Sequence, residues 1–141
     1  MIQIQSFTFN GFQENTYILF DKTKECIIID PGCYEKEEQN ILTQFIEDNE
    51  LKPVKLINTH CHIDHVLGNK FVADKWNLDL HIHRKDLPTL NNVVEYCNVY
   101  GFHKYEKSPD PTYFLNHNDK LSFGESSLDI YFTPGHAPGH I

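Results

Sequence analysis

An apolar strand running straight into three closely spaced histidines constrains this chain more than any other feature. Val54-Lys-Leu-Ile-Asn-Thr59 reads as a strand, and Thr59-His-Cys-His-Ile-Asp-His65 continues from it without a break. Counting His60 as i, further donors fall at i+2 (His62), i+4 (Asp64) and i+5 (His65). Neutral imidazole is the commonest protein ligand for zinc and similar metals, and a carboxylate adds a hard oxygen donor. On extended chain the i and i+2 side chains share one side, while an adjacent Asp-His pair splays in two directions. One such stretch has donors enough to serve two neighbouring metal ions.

A second histidine-bearing loop follows a later strand, in Thr133-Pro-Gly-His-Ala-Pro-Gly-His140. Glycine and proline fix a tight turn there, and catalytic zinc typically takes three protein ligands. His136 is therefore the expected third donor beside His60 and His62, with His140 supporting the site or the turn. His81 and His83 also stand two apart, but within an expected strand, where they read as one polar face. His103 and His117 read as surface residues. Asp30 closes a buried strand before Pro31-Gly32, either as a turn residue or as a carboxylate orienting a ligand imidazole. Cys61 lies between two ligands, should point away from them, and is not expected to act as a nucleophile.

Strands are expected over 2–9, 15–20, 26–30, 54–59, 78–83, 119–123 and 127–133, with helices over 34–50, 68–76 and 86–100 and a loop over 102–112. Their alternation makes the class α/β or mixed α+β. The 141 residues suit one domain, and 20 acidic against 12 basic residues leave a net charge of −8. That balance argues against a nucleic-acid partner. No apolar run is long enough to span a membrane, and the N-terminus lacks a basic-then-apolar leader pattern. The four cysteines form no CxxC and read as free thiols, so the expected location is the cytoplasm.

Asp30-Pro-Gly, the Thr59–His65 motif and Pro134-Gly-His136 together resemble the metallo-β-lactamase superfamily. Asn10-Gly-Phe-Gln-Glu-Asn-Thr-Tyr17 and the PGHAPGH turn are similar to its glyoxalase II-like (hydroxyacylglutathione hydrolase-like) branch. The resemblance implies a four-layer αββα sandwich with its C-terminal part missing, so that 1–141 is a single incomplete domain. It implies that His60, His62 and His136 hold one metal, that Asp64 and His65 hold a second, and that Asp30 supports them. Zinc is the implied metal, two ions in the complete protein, with iron or manganese as other occupants. A bridging aspartate and a last histidine lie beyond the PGH turn in the family; this sequence stops at Ile141.

The implied function is a metallo-hydrolase in which metal-bound hydroxide attacks a small-molecule thioester or ester, oriented by Asp64. The extra helical domain with which glyoxalase II enzymes bind glutathione has no counterpart, so glutathione specificity is not expected. A mononuclear iron persulfide dioxygenase of the same fold and a catalytically incomplete metal-binding fragment are the alternatives. A homo-oligomer is a further expectation.

Overall fold

A computed structural model of the chain describes residues 1–141. Strands β1 (Gln3–Phe9), β2 (Glu14–Phe20) and β3 (Glu25–Ile29) form an antiparallel meander. Strands β4 (Lys52–Ile57), β5 (Leu80–Ile82) and β6 (Tyr113–Phe114) extend it in parallel, giving one sheet in simple sequence order. Helices α1 (Lys36–Asp48), α2 (Ile63–Val66), α3 (Asn69–Trp76) and α4 (Leu87–Tyr96) fill the crossovers that parallel pairing requires. A separate hairpin joins β7 (Lys120–Phe123) to β8 (Ser126–Asp129).

Period two sorts the strand side chains into two cores. Ile18, Ile28 and Leu56 join Leu42 and Ile46 of α1, Val72 of α3 and Val93 of α4 in a cluster of 21 buried residues. Their neighbours Leu19, Ile27 and Ile57 point the other way, onto Leu121, Phe123 and Ile130, in a cluster of seven. Each fully buried Leu or Ile contributes roughly 1.5–3 kcal/mol by leaving water. Cys26-Ile-Ile-Ile29 is apolar throughout because both of its faces are covered, the pattern of a central strand.

The layers run helices, six-stranded sheet, two-stranded sheet, and no helical residue contributes to the second cluster. This is the mixed α/β class expected, and three of the four αββα layers are present. No helix is long and apolar enough to cross a membrane. All four cysteines are buried and free.

Four local expectations differ from the structure. Strand β5 stops at Ile82, so His83 caps the turn Arg84–Asp86, its Nδ1 accepting the Lys85 N–H. Strand β8 stops at Asp129, short of residue 133. Strand β6 went unforeseen, since two residues carry no readable period; it exists because His81 and Ile82 offer a parallel edge. The motif itself turns helical at Ile63, so Asp64 and His65 sit on α2 and not on extended chain.

Candidate metal centre

The polar centre forms at the C-terminal ends of β3 and β4, where parallel strands stop and loops collect side chains. Asp30 follows β3 in a left-handed conformation, with φ of 52°. Its Oδ1 accepts the Thr59 N–H at 2.7 Å and its Oδ2 accepts the Thr59 hydroxyl at 2.5 Å. With that hydroxyl proton committed to Asp30, Thr59 Oγ1 accepts from His60 Nδ1 at 3.0 Å. His60 is thereby held as the tautomer whose Nε2 carries a lone pair, the form a metal ligand needs. That Nε2 is buried and has no hydrogen-bond partner. Asp30 thus turns the chain after β3 and, through Thr59 and by facing His65, also bears on the imidazoles of His60 and His65.

His60, His62 and His136 bring one ring nitrogen each to within 4.8 Å of one another. A tetrahedral zinc with bonds of about 2.0–2.1 Å places its nitrogens about 3.3 Å apart. His62 Nδ1 and His136 Nε2 already stand 3.2 Å apart. Burial and then the charge of His65 and the neighbouring imidazoles push the His60 pKa down to about 3. Burial and His136 lower that of His62 as well. Three imidazoles converging on one region, one with a buried and orphaned nitrogen, fit a divalent cation.

The rest of the motif behaves differently. Asp30, His60 and His65 form a second convergent group. His65 Nε2 lies 3.3 Å from Asp64 Oδ2, and His65 Nδ1 lies 3.1 Å from Asp30 Oδ2 and 3.8 Å from Glu14 Oε1. Burial works against its charge, but the facing carboxylates of Asp30 and Asp64 win and raise its pKa to about 10. Burial alone would raise Asp64; the hydrogen bond and charge of His65 overcome that and lower it. Glu14, given no role by the sequence, opens β2 and is buried beneath this group, and desolvation pushes its carboxyl up to about 9.

Several structural members had no readable signal. Asp86 is fully buried, and its carboxylate accepts the Cys61 N–H at 2.5 Å and the Gly139 N–H at 2.7 Å. One side chain thus clamps the loop of His60 and His62 to the loop of His136. Gly139 is needed for the approach, since a Cβ there would lie 2.5 Å from the Asp86 nitrogen. Asn58 and Asn69 pair as buried amides, and Asn58 Nδ2 also donates to the His65 carbonyl at 3.2 Å. Asn10 Nδ2 donates to the carbonyls of Gly32 and Asp64 at 3.0 and 2.9 Å, fastening the β1–β2 turn to α2. Asp and Asn at turns are too common in sequence to announce such roles.

The remaining histidines fall outside both groups. His140 packs against His60 at 4.7 Å between ring centroids and is a member of neither donor set. His81 stacks on Tyr113 and His83 on Phe132, both structural contacts. His103 is exposed beside Asn98, and His117 Nδ1 accepts the Phe132 N–H. Cys61 is buried, and desolvation followed by the charge of Asp86 raises its thiol well above the usual range, which disfavours a thiolate nucleophile.

The chain is similar to known proteins along most of its length. The probable metallo-hydrolase YqgX of Bacillus subtilis is 30% identical over 131 residues, covering 92% of this chain and 59% of that protein. The hydroxyacylglutathione hydrolase GloC of Haemophilus influenzae is 28% identical over 145 residues, covering 99% and 65%. The structure of TTHA1623 in a di-iron-bound form superposes with a TM-score of 0.80 at 28% identity, covering 96% of this chain and 64% of that one. The chain therefore spans less than two thirds of each of these relatives. Residues 9–141 match the Metallo-beta-lactamase superfamily, and the chain belongs to that family.

Proposed function

We propose that the protein is a metal-dependent hydrolase of small thioesters or esters. The observation that carries this reading is the convergence of His60, His62 and His136, with the His60 Nε2 lone pair buried and unpartnered. A bound divalent cation supplies Lewis acidity and lowers the pKa of water from about 15.7 to about 7. These three residues would hold it, and Asp64 and His65 would contribute to a second position. Zinc or iron suits the imidazole set, and the di-iron form of TTHA1623 supports iron as an occupant.

The chain's own groups divide the work. Asp30, through Thr59, holds the His60 tautomer. Asp64, half-buried and lining the groove beside His62 and His136, would orient the attacking water. Buried Cys61 offers no nucleophile, so the acyl group passes to water directly. The net charge of −8 supports a small-molecule substrate over a nucleic acid.

Metal content and thioesterase activity, measured together on the 141-residue chain and on a form extended to the relatives' length, test the reading. Chelator-sensitive hydrolysis restored by zinc or iron is expected of the extended form. One iron per chain with oxygen consumption and no hydrolysis would establish the persulfide dioxygenase instead. Metal binding without turnover in the short form alone would mark it as an incomplete fragment.

A further inference from the structure

An aromatic groove of about 440 Å³ opens beside His62 and His136, walled by Phe12, Tyr96, Val99 and Tyr100. No lysine or arginine lines it, and Asp64 is its one charged residue. Phe12 is 49% exposed, Tyr100 54% and Val99 82%, an unusual gathering of apolar surface at a polar centre. The wall is fixed in place. Asn10 Oδ1 accepts the Phe12 N–H at 2.9 Å while Asn10 Nδ2 grips the Asp64 carbonyl. The Phe12 ring meets Tyr100 edge-on at 5.7 Å, and Tyr96 meets Tyr100 at 5.8 Å. Hairpin turn and helix end therefore form one continuous aromatic surface, tied through Asn10 to the metal-binding loop.

We infer that this groove seats the acyl group of the substrate and selects apolar, aryl-bearing acyl groups over short or anionic ones. This rests on the hydrolase reading, which places the scissile carbonyl at His60, His62 and His136. An aryl ring entering the groove stacks on Phe12 and Tyr100 and covers their exposed faces, gaining both burial and ring–ring contact. A carboxylate entering it meets no cation and faces Asp64. A dicarboxylate or a glutathione-like acid is correspondingly disfavoured at this wall.

Two readouts separate the inference from the reading beneath it. Calorimetric titration of the zinc-loaded chain with 3-phenylpropionate, propionate and succinate reports the groove without needing turnover. About tenfold tighter binding of 3-phenylpropionate than propionate is expected, with succinate weakest. Phe12→Ala and Tyr100→Ala should each collapse the phenylpropionate-to-propionate ratio toward unity, and Val99→Lys should raise succinate affinity severalfold. Phe12, Tyr100 and Val99 are exposed, so none of these variants opens the core. Equal binding of the two monocarboxylates, or an unchanged ratio in Phe12→Ala and Tyr100→Ala, would overturn the inference. Hydrolysis of the matching thioesters is the second readout: selective binding without turnover keeps the groove and removes the hydrolase, and turnover without selectivity does the reverse.

Discussion

The two donor groups share His60 yet differ in what holds them together. His60, His62 and His136 are three imidazoles with no anion among them, gathered from two distant loops. His65 sits between Asp30 and Asp64, above a buried Glu14, and is an ion pair already. The first group gains nothing from its own convergence until a cation arrives. The second already sets its imidazole against carboxylates, although the buried His65 Nδ1, 3.1 Å from Asp30 Oδ2, makes no well-directed hydrogen bond. A cation thus completes one and must compete for the other, and the difference comes from carboxylates the first group lacks.

Removing the shared ring should have the largest effect. His60→Ala takes a donor from both groups, and loss of more than about 100-fold in zinc affinity is expected by chelator competition. His65→Ala should weaken the first ion far less. Equal losses would erase the distinction between the groups.

Asp86 comes next. Asp86→Ala strands the buried Cys61 and Gly139 N–H groups, each costing about 1–3 kcal/mol in denaturant unfolding. It also frees the loop of His136 from that of His60 and His62, with about 10–100-fold weaker zinc binding expected. Asp86→Asn keeps one acceptor oxygen and should fall between. Thr59→Val breaks the relay from Asp30 to His60 while keeping volume, for a loss near tenfold.

Protonation separates the groups by sign. His65 is raised to about 10, so in the metal-free protein its pair contributes fully below the unfolded value near 6.5 and is lost as pH climbs to about 10. His60 is lowered to about 3, so its contribution is present above about 6.5 and lost as pH falls toward 3. At pH 8 an ion entering beside His65 should release about one proton, whereas His60, lowered to about 3, has none to give. Calorimetry in buffers of different ionisation enthalpy reads this directly. His81→Phe, away from both groups, should leave zinc affinity within about twofold while costing about 1–3 kcal/mol in stability, since the buried ring loses its contacts with the Leu56 and Asp79 carbonyls.

Helices α1, α3 and α4 and the central strands were legible because their periods, 3.6 and 2, reflect which face is buried. Strand β6 was not, being two residues long and defined by its neighbour. The helical turn at Ile63–Val66 was hidden for a related reason: four residues hold barely one turn, and a dense run of ligand-type residues masks its period. The donors His60, His62, Asp64, His65 and His136 were named from spacing, yet spacing could not divide them into a cation site and an ion pair.

Residue order along the chain determined the family, the donor types and the faces of the main elements, because these depend on local pattern and side-chain chemistry. Tertiary structure alone decided the partners across the gap. It joined Asp86 to loops 25 and 53 residues away, set Glu14 beneath His65, and walled the centre with Phe12 and Tyr100. Those contacts follow from where β-strands end and how helices return over the sheet. Through-space electrostatics and desolvation then fix each imidazole's charge, and no short window of sequence contains them.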